Sequence, residues 1–573
     1  MGTYVFIDVS GKQEYIFRSK SLRDNLVNSS VIKAITEVWN NGRSQTGQEE
    51  TLNPARVELG PFLGSRYSEK HIVIYSGGGN SILLFEESAD ARSFMRSYSL
   101  AVLKAYLDLE FYMSQVDENE ISQLGLQTDI STIQKLLHYR ADRLKDKRRA
   151  MFRRWSYGIE SINERGKPIP WNDRNRYKGS APDGERERMN QEQKKELDFA
   201  RGMLFKRLEN LLERRSEQDH AHMDVEICTE LSLYKAKAGQ DRKSYIGVIA
   251  IDGNKMGEKF KRLRTAEEWS DFSNEIERIY AAAVANALWD YASSCKTSLL
   301  VTPVLMSGDD ICLVVHGEDA IDVAAGILKQ IQTESLHGTG ALRKTMNEVG
   351  ESYLTACAGV AIVKVAYPFF DAVQMAERLC KQTKEALYRS AEDNALSASF
   401  IDWEIVQGQV SVQKPYEKLT VRARENNRYR IRPLRIDQEK AWDNGVYSFG
   451  AFRKLVDEIR SLLEQDKQEG KAISSSFLEK IKKQLYQGWE SYQLLFDLDQ
   501  TGAGKWLAER VNQIFCSGKD GYSGNRTFKQ EYAALIHNNQ QMKPEYHYIL
   551  SDVLEALVFI ASAKKEAVGT HDK

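Results

Sequence analysis

Three aspartates stand where a divalent cation could be held. Asp252 closes an apolar run, Ile246-Gly247-Val248-Ile249-Ala250-Ile251, that reads as a buried strand. Asp309 and Asp310 lie in the turn Ser307-Gly308-Asp309-Asp310, between the apolar runs Leu299–Met306 and Ile311–Val315. Carboxylates at a strand end and at a hairpin tip can converge on one edge of a sheet. Three negative charges gathered there repel one another unless a cation lies between them. Mg²⁺ suits such a place, because it takes hard oxygen ligands from a few carboxylates and completes its shell with water and phosphate oxygens. Two such ions about 3.5–4 Å apart can clamp an attacking hydroxyl and a leaving pyrophosphate in line. The chemistry is nucleotidyl transfer, in which the protein mainly positions groups and neutralises charge.

The residues beside the carboxylates suit phosphate. Gly308 permits a sharp turn and a close approach of backbone N–H groups to an anion. Gly253 and Gly257 can do the same beside Asp252. Ser307 can hydrogen-bond a phosphate or cap the turn. A Gly-Asp hairpin tip alone is a common turn without function. Its pairing with an apolar strand that ends in Asp252 makes it a metal-site candidate.

The elements that must carry these residues occur twice. Tyr4-Val5-Phe6-Ile7 reads as a strand followed by Asp8, then a turn at Ser10-Gly11, then a helix from about Gln13 to Trp39. His71–Tyr75, the turn Gly77-Gly78-Gly79 and Ser81–Phe85 form a hairpin, and a helix follows over about Ala89–Leu109. The second copy runs strand, Asp252, Leu299–Met306, the Ser307–Asp310 turn and Ile311–Val315. It continues with a helix over Ala320–Thr333, a strand over Ala356–Val365 and a helix from Tyr367 to about Ser390. Asp8 aligns with Asp252, and the Gly77-Gly78-Gly79 turn with the Gly308-Asp309 turn. This is an internal duplication of one α+β unit, giving two sister domains that face each other. Between the copies lies a polar region over about Asp117–Arg242, with helical flanks such as Gln193–Arg215 and a loop over Asn163–Asn190. After Gly408 the periodicity is helical over Ala451–Gln465, Ser474–Phe496, Trp506–Ile514 and Tyr546–Ala563. The expected divisions are 1–116, 117–242, 243–410 and 411–573.

Composition excludes several classes. With 573 residues, 42% of them hydrophobic and 28% charged, the chain reads as an ordinary multidomain globular protein. The net charge of −1 says nothing about nucleic acid. The 6 cysteines have no C-x-x-C spacing, so neither a zinc ribbon nor a disulfide framework is expected. His220, His222 and Cys228 read as unrelated surface and core residues. The stretch Met1–Asp8 lacks a basic region followed by a long apolar run, so no signal peptide is expected. No run approaches the roughly 18–20 apolar residues of a membrane span. The expectation is a cytoplasmic protein with no membrane contact.

The motifs resemble the large, polymerase-like palm subunit of type III CRISPR effector complexes. In that family an apolar strand leads into Asp-Gly-x-x-Met-Gly and then a Gly-Gly-Asp-Asp hairpin. Here these read Ile251-Asp252-Gly253-Asn254-Lys255-Met256-Gly257 and Ser307-Gly308-Asp309-Asp310. Ala358–Ile362, Tyr367-Pro368, Ala376-Glu377, Cys380-Lys381 and Lys384 also look like the family, as do Gln13–Phe17, Leu22-Arg23-Asp24 and Gly77–Gly79. The resemblance spans residues 1 to about 410 and fits the C-terminal part more loosely. It implies two ferredoxin-like, GGDEF-like palm domains with a helical linker and a helical C-terminal domain. It also implies an activity: joining ATP 3′–5′ into cyclic oligoadenylate second messengers in antiviral defence. Asp252, Asp309 and Asp310 would then carry Mg²⁺ or Mn²⁺, and Lys384, or its rival Lys381, would contact the triphosphate. Gly77, Gly78 and Gly79 would hold a second ATP against a first palm that lacks the full carboxylate set. Two departures stand out. The first glycine of the hairpin is Ser307, and the palm pattern begins at Met1, so the family's HD nuclease domain is not expected.

Partner readings follow from basic stretches. Arg140–Arg154 holds eight Lys/Arg against two Asp, with Phe152, Trp155 and Tyr157 nearby. Phosphate contacts with aromatic stacking would suit RNA, and a solvated helix face is the alternative. Thr420–Arg435, with Arg422, Arg424, Arg428, Arg430, Arg432 and Arg435, reads the same way, with a solvated extended segment as its default. Three functions stay open: a nucleotidyl transferase acting on ATP, a scaffold that binds guide RNA and other effector subunits without chemistry, and a diguanylate cyclase or template-directed polymerase.

Overall fold

Strands form where β-branched and aromatic residues run together. The computed structural model describes residues 2–19, 21–38, 56–106, 109–125, 129–152, 183–222, 224–236, 244–294, 298–390, 398–406, 427–443, 446–469, 473–485, 487–515, 527–538 and 545–560. The first sheet holds β1 (Thr3–Val9), β2 (His71–Gly77), β3 (Asn80–Phe85) and β4 (Phe111–Asp117) in the order β2-β3-β1-β4. All its neighbours are antiparallel.

The second sheet is larger. It contains β5 (Val225–Ile227), β6 (Tyr245–Gly253), β7 (Leu299–Ser307), β8 (Asp310–His316), β9 (Ala356–Lys364) and β10 (Phe400–Ile405). Reading inward from one edge the order is β5-β7-β8-β6-β9-β10, and the short strands Leu434–Arg435, Val446–Ser448 and Trp442–Asp443 extend the far side. Within it, β7-β8-β6-β9 repeats the antiparallel order β2-β3-β1-β4, so each unit's first strand is central. The equivalence extends to the hairpins. Gly77 pairs with Asn80 across one turn and Ser307 with Asp310 across the other, so residues 77–80 correspond to residues 307–310.

Both sheets are covered on both faces. Along β1, Tyr4 and Phe6 join one core while Val5, Ile7 and Val9 join the other. Along β6, Ile249 and Ile251 join the first core and Ile246, Val248 and Ala250 the second. Side chains alternate across a strand, so a strand buried on both faces must be apolar throughout. That is why the runs before Asp8 and Asp252 show no polar alternation.

Several elements differ from the sequence expectation. The helix expected over Gln13–Trp39 is two, Lys12–Ile16 and Leu22–Thr36, because Ser21 caps a new start by accepting from the Asp24 backbone N–H. The helix expected from Gln193 begins earlier, at Asp183, and breaks between Leu204 and Lys206. The stretch Tyr546–Ala563 is not one helix. Glu545–His547 is a strand, and the helix runs over Ile549–Ala556. The C-terminal part, expected as helical, therefore also carries a second small sheet that includes Thr527–Glu531 and Ala534–Asn538. The loop centred near residue 170, Trp155, Tyr157 and Arg422 to Asn426 lie outside the described residues. No helix among the described residues is long and apolar enough to cross a membrane.

Candidate active site

Asp252 is the next-to-last residue of β6, and Asp309 sits at the tip that joins β7 to β8. The two ends meet. The Gly253 backbone N–H donates to the Asp309 carboxylate, and a methyl group placed on Gly253 would lie 2.9 Å from Asp309 Oδ2. Gly253 thus keeps the space that lets the hairpin tip reach the strand end. Gly308 holds a φ of 60°, a left-handed turn position that glycine occupies without strain. Behind Asp252, Asn254 is buried and donates to Thr355 Oγ1 at 3.1 Å and to the Ala398 carbonyl at 3.0 Å. Lys259, also buried, pairs with Glu351 at 2.8 Å and donates to the Asn254 carbonyl. This buried support fixes the exit of β6.

Of the two candidate lysines, Lys384 is the one at the carboxylates. Its Nζ lies 2.6 Å from Asp252 Oδ2 and donates to the Gly253 carbonyl at 2.7 Å. Burial works against its ammonium, but Asp252 outweighs burial and its pKa ends raised. Lys381 is exposed one turn earlier on the same helix, Phe369–Ser390.

The carboxylates are frustrated. Burial and then the Asp252 charge raise the pKa of Asp309, against hydrogen bonds from its own backbone N–H and the Lys384 charge. The surrounding protein, then Asp309 and Asp252, raise that of Asp310. Asp310 keeps access to solvent at the rim, which tempers the shift without reversing it. Tyr280, from the helix Ala266–Ser294, points its buried hydroxyl at the same spot. A methyl on Gly253 would sit 2.6 Å from it, and it has no hydrogen-bond partner. Burial and the charges of Asp309, Asp252 and Asp310 keep that phenol protonated. Among the described residues no three His, Cys, Asp or Glu side chains stand together as a ready metal cage. The donor set still suits Mg²⁺ or Mn²⁺: hard oxygens only, two adjacent carboxylates with raised proton affinity, and an unpartnered hydroxyl beside them.

The first unit repeats part of this arrangement. Lys145 meets Asp8 at 2.8 Å, as Lys384 meets Asp252, and each lysine lies on the helical segment that follows its unit's fourth strand. Lys12 also reaches Asp8, at 3.4 Å. At the hairpin, however, Gly79 and Asn80 stand where the second unit has Asp309 and Asp310. Gly78 and Gly79 both hold left-handed φ angles, but their N–H groups are committed inside the protein, to Ser307 Oγ at 2.7 Å and Glu37 Oε1 at 3.1 Å. Ser307 neither caps its own turn nor stands free for a phosphate. Its hydroxyl donates to Glu37 Oε1 at 2.6 Å.

Between the units lies a cavity of about 130 Å³, bordered by Lys12, Lys33, Ile16, Phe17, Met306 and Glu377, with Asp310 and Gly78 at its edge. Burial pushes Glu377 up to about 7, and Gln13 donates to it at 2.8 Å across the units.

Residues 245–391 match the family described as Cas10/Cmr2, second palm domain. That segment of the chain is a Cas10-like second palm. The match covers β6 to β9 and the helix that carries Lys384, so the Cas10-like segment contains all three aspartates. Similar solved structures include the Csm1–Csm4 cassette in complex with cA4 (12% identity, TM-score 0.43, 97% of this chain and 69% of that one). Others are the cassette with pppApA (10%, 0.45, 98% and 69%) and with one ATP (12%, 0.41, 98% and 70%). The match spans 62–70% of the length of such solved chains. No curated protein matches the sequence.

Several site residues escaped sequence reasoning: Glu37, Tyr75 and Tyr280, and the anchoring Asn254. Tyr75 on β2 is raised in pKa by burial, then by Asp309 and Glu37, which places the first unit's hairpin beside the second unit's carboxylates. Only Asn254 had a local signal, its place inside the Asp252–Gly257 motif.

Proposed function

We propose that this Cas10-like chain is a metal-dependent nucleotidyl transferase that joins ATP 3′–5′ into cyclic oligoadenylate in antiviral defence. The observation that carries the reading is the meeting of Asp309 with Gly253, which brings the hairpin tip to the strand end occupied by Asp252. Asp252, Asp309 and Asp310 would hold Mg²⁺ or Mn²⁺, which supplies charge neutralisation at the α-phosphate and lowers the pKa of the attacking hydroxyl. Lys384 offers its ammonium to the triphosphate, exchanging the Asp252 carboxylate for phosphate oxygens. Gly253 and Gly308 shape the turn against which the phosphates lie, while the Ser307 hydroxyl is turned away to Glu37. The cavity between the units is apolar along Ile16, Phe17 and Met306, a setting for one base ring. Tyr280 and Tyr75 remain protonated and can donate to anionic oxygen.

In this reading residues 1–116 form a non-catalytic first palm and 117–242 a linker. Residues 243–410 form the catalytic palm and 411–573 a C-terminal domain. The first palm retains the Asp–Lys pair and the glycine turn but carries Gly79 and Asn80 in place of the tip acids, so it binds the acceptor nucleotide without activating it. Incubating the pure protein with labelled ATP and Mn²⁺ should yield pyrophosphate and cyclic product. Asp309→Asn and Asp310→Asn should abolish both while leaving the fold intact. Normal output from an Asp309→Ala/Asp310→Ala variant refutes the proposal.

A scaffold that binds guide RNA and partner effector subunits is the second reading. The exposed Arg143 and Lys147 of the helix Ile130–Phe152 favour it. Against it, Arg140 and Lys145 of the same basic stretch are engaged internally, with Glu120 and Asp8. Persistent absence of phosphodiester product, with and without a guide–target complex, supports the scaffold.

A further inference from the structure

The helix Leu22–Thr36 of the first unit lies along the outer edge of β7. Strand β5 pairs with β7 only over Leu299–Val301, so among the described residues the half of β7 that leads to the carboxylates has no strand on this outer edge, while β8 pairs along the other. An open strand edge presents unpaired carbonyl and N–H groups. Here polar side chains take them at successive turns. Ser29 Oγ donates to the Val304 carbonyl at 2.8 Å, and Lys33 Nζ to the Met306 carbonyl at 3.4 Å. The residue just past the helix end, Glu37, accepts from Ser307. The last step differs from the others because it continues into the first unit's hairpin. Ser307 Oγ accepts the Gly78 N–H, and Glu37 Oε1 accepts the Gly79 N–H as well as the Ser307 hydroxyl. Ser307 is 5% exposed and Glu37 7%, so no solvent substitutes for these bonds.

We infer that Ser307 and Glu37 form a latch that holds the two hairpin tips in fixed register, and so positions the acceptor nucleotide of the first unit relative to the donor at Asp252, Asp309 and Asp310. This rests on the nucleotidyl transferase reading. A glycine at position 307 supplies no hydroxyl, so Gly78 N–H and one Glu37 bond would be left unmade inside the protein. Serine here is therefore one half of a pair with Glu37. Both are positioning residues, acting on nucleotide through the Gly78-Gly79 turn.

The test is two-site binding of an ATP analogue with a methylene bridge between its α- and β-phosphates, which cannot release pyrophosphate. The wild-type chain should bind two molecules. Lys384→Met marks the donor side by weakening one affinity. Ser307→Ala and Glu37→Met should each weaken the other affinity by about tenfold, with the donor side changed less than about twofold. The double variant should match the single ones, because each breaks the same connection. Thermal melts identify any variant that fails to fold, and Ser307→Thr, which keeps the hydroxyl, should restore the affinity. A single binding event in the wild type overturns the latch, as does equal weakening of both sites or an unchanged second site in Ser307→Ala. Two filled sites with a Ser307-dependent acceptor affinity but no product from ATP would sink the transferase reading while leaving the latch in place.

Discussion

Burial and the neighbouring Asp252 carboxylate both raise the pKa of Asp309. The folded chain therefore keeps a proton on this group at pH values where the unfolded chain, with a free aspartate near 3.9, has lost it. Such a group favours folding at low pH and opposes it as pH rises through the folded value. Asp309→Asn removes the opposition. At pH 8 the variant should be more stable than the wild type by about 1 kcal/mol, with no advantage at pH 4, while losing transferase activity. Melts at the two pH values decide this, and a less stable variant at pH 8 would count against a repulsive cluster. Lys384→Met has the opposite sign. It strips the counter-charge from Asp252 and should lower both stability at pH 8 and transfer, the latter by about a hundredfold or more. The three aspartates were legible in the sequence because strand ends and glycine turns are local patterns. Glu37, Tyr75 and Tyr280 were not. Each sits in an apolar or helical stretch where its type reads as filler. The packing of the first unit on the second brings Glu37 to Ser307 and Tyr75 to Asp309, and the packing of helix Ala266–Ser294 within the second unit aims Tyr280 at the carboxylates.

The helix Phe369–Ser390 brings Lys384 to the site only because it lies directly on β9. A methyl on Gly359 would fall 2.1 Å from the Ala376 carbonyl oxygen and 2.4 Å from the Cys380 N. Both are backbone atoms, so no rotamer change relieves the clash and the helix must lift. Gly359→Ala should cost about 3 kcal/mol and draw Lys384 away from Asp252, lowering transfer in whatever remains folded. Gly326→Ala is the matched control. Its added methyl would meet only the Ala287 side chain at 3.6 Å, an ordinary contact, in the middle of a helix where alanine is preferred. Equal melting temperatures for the two variants would defeat the argument. Element boundaries were the less legible level. The break before Leu22 had a signal in Ser21 and Asp24, three residues apart as at a helix start. Tyr546-His547-Tyr548 is aromatic and suits a strand. The helical periodicity that begins at Ile549 carries the sequence reading back over it.

Across the whole molecule, one buried cation ties the C-terminal part to the second unit. The repeated strand order of the two units could be anticipated from paired motifs, but this connection could not, since Arg432 stands among several arginines in a stretch that reads as solvated. Its guanidinium is fully buried and meets Asp552 at 2.9 Å, Glu555 at 3.0 Å and Asp402 at 3.2 Å, and it lies over the Trp403 ring at 4.4 Å. Asp402 belongs to β10, beside β9, whereas Asp552 and Glu555 belong to the helix Ile549–Ala556. Burial already raises the pKa of Asp402, and it lifts Glu555 to about 7 despite the arginine. Arg432→Met leaves these acids without their cation and should destabilise the chain by about 3–5 kcal/mol at pH 8. The loss should shrink at pH 5. Removing the arginine raises the carboxyl pKa values further, and protons then replace the missing charge in the folded state but not in the unfolded one. Limited proteolysis at pH 8 should release the C-terminal part from the variant before the β6–β9 unit is cut. A loss of stability of the same size at both pH values would mean that packing on Trp403, rather than charge, holds the two parts together.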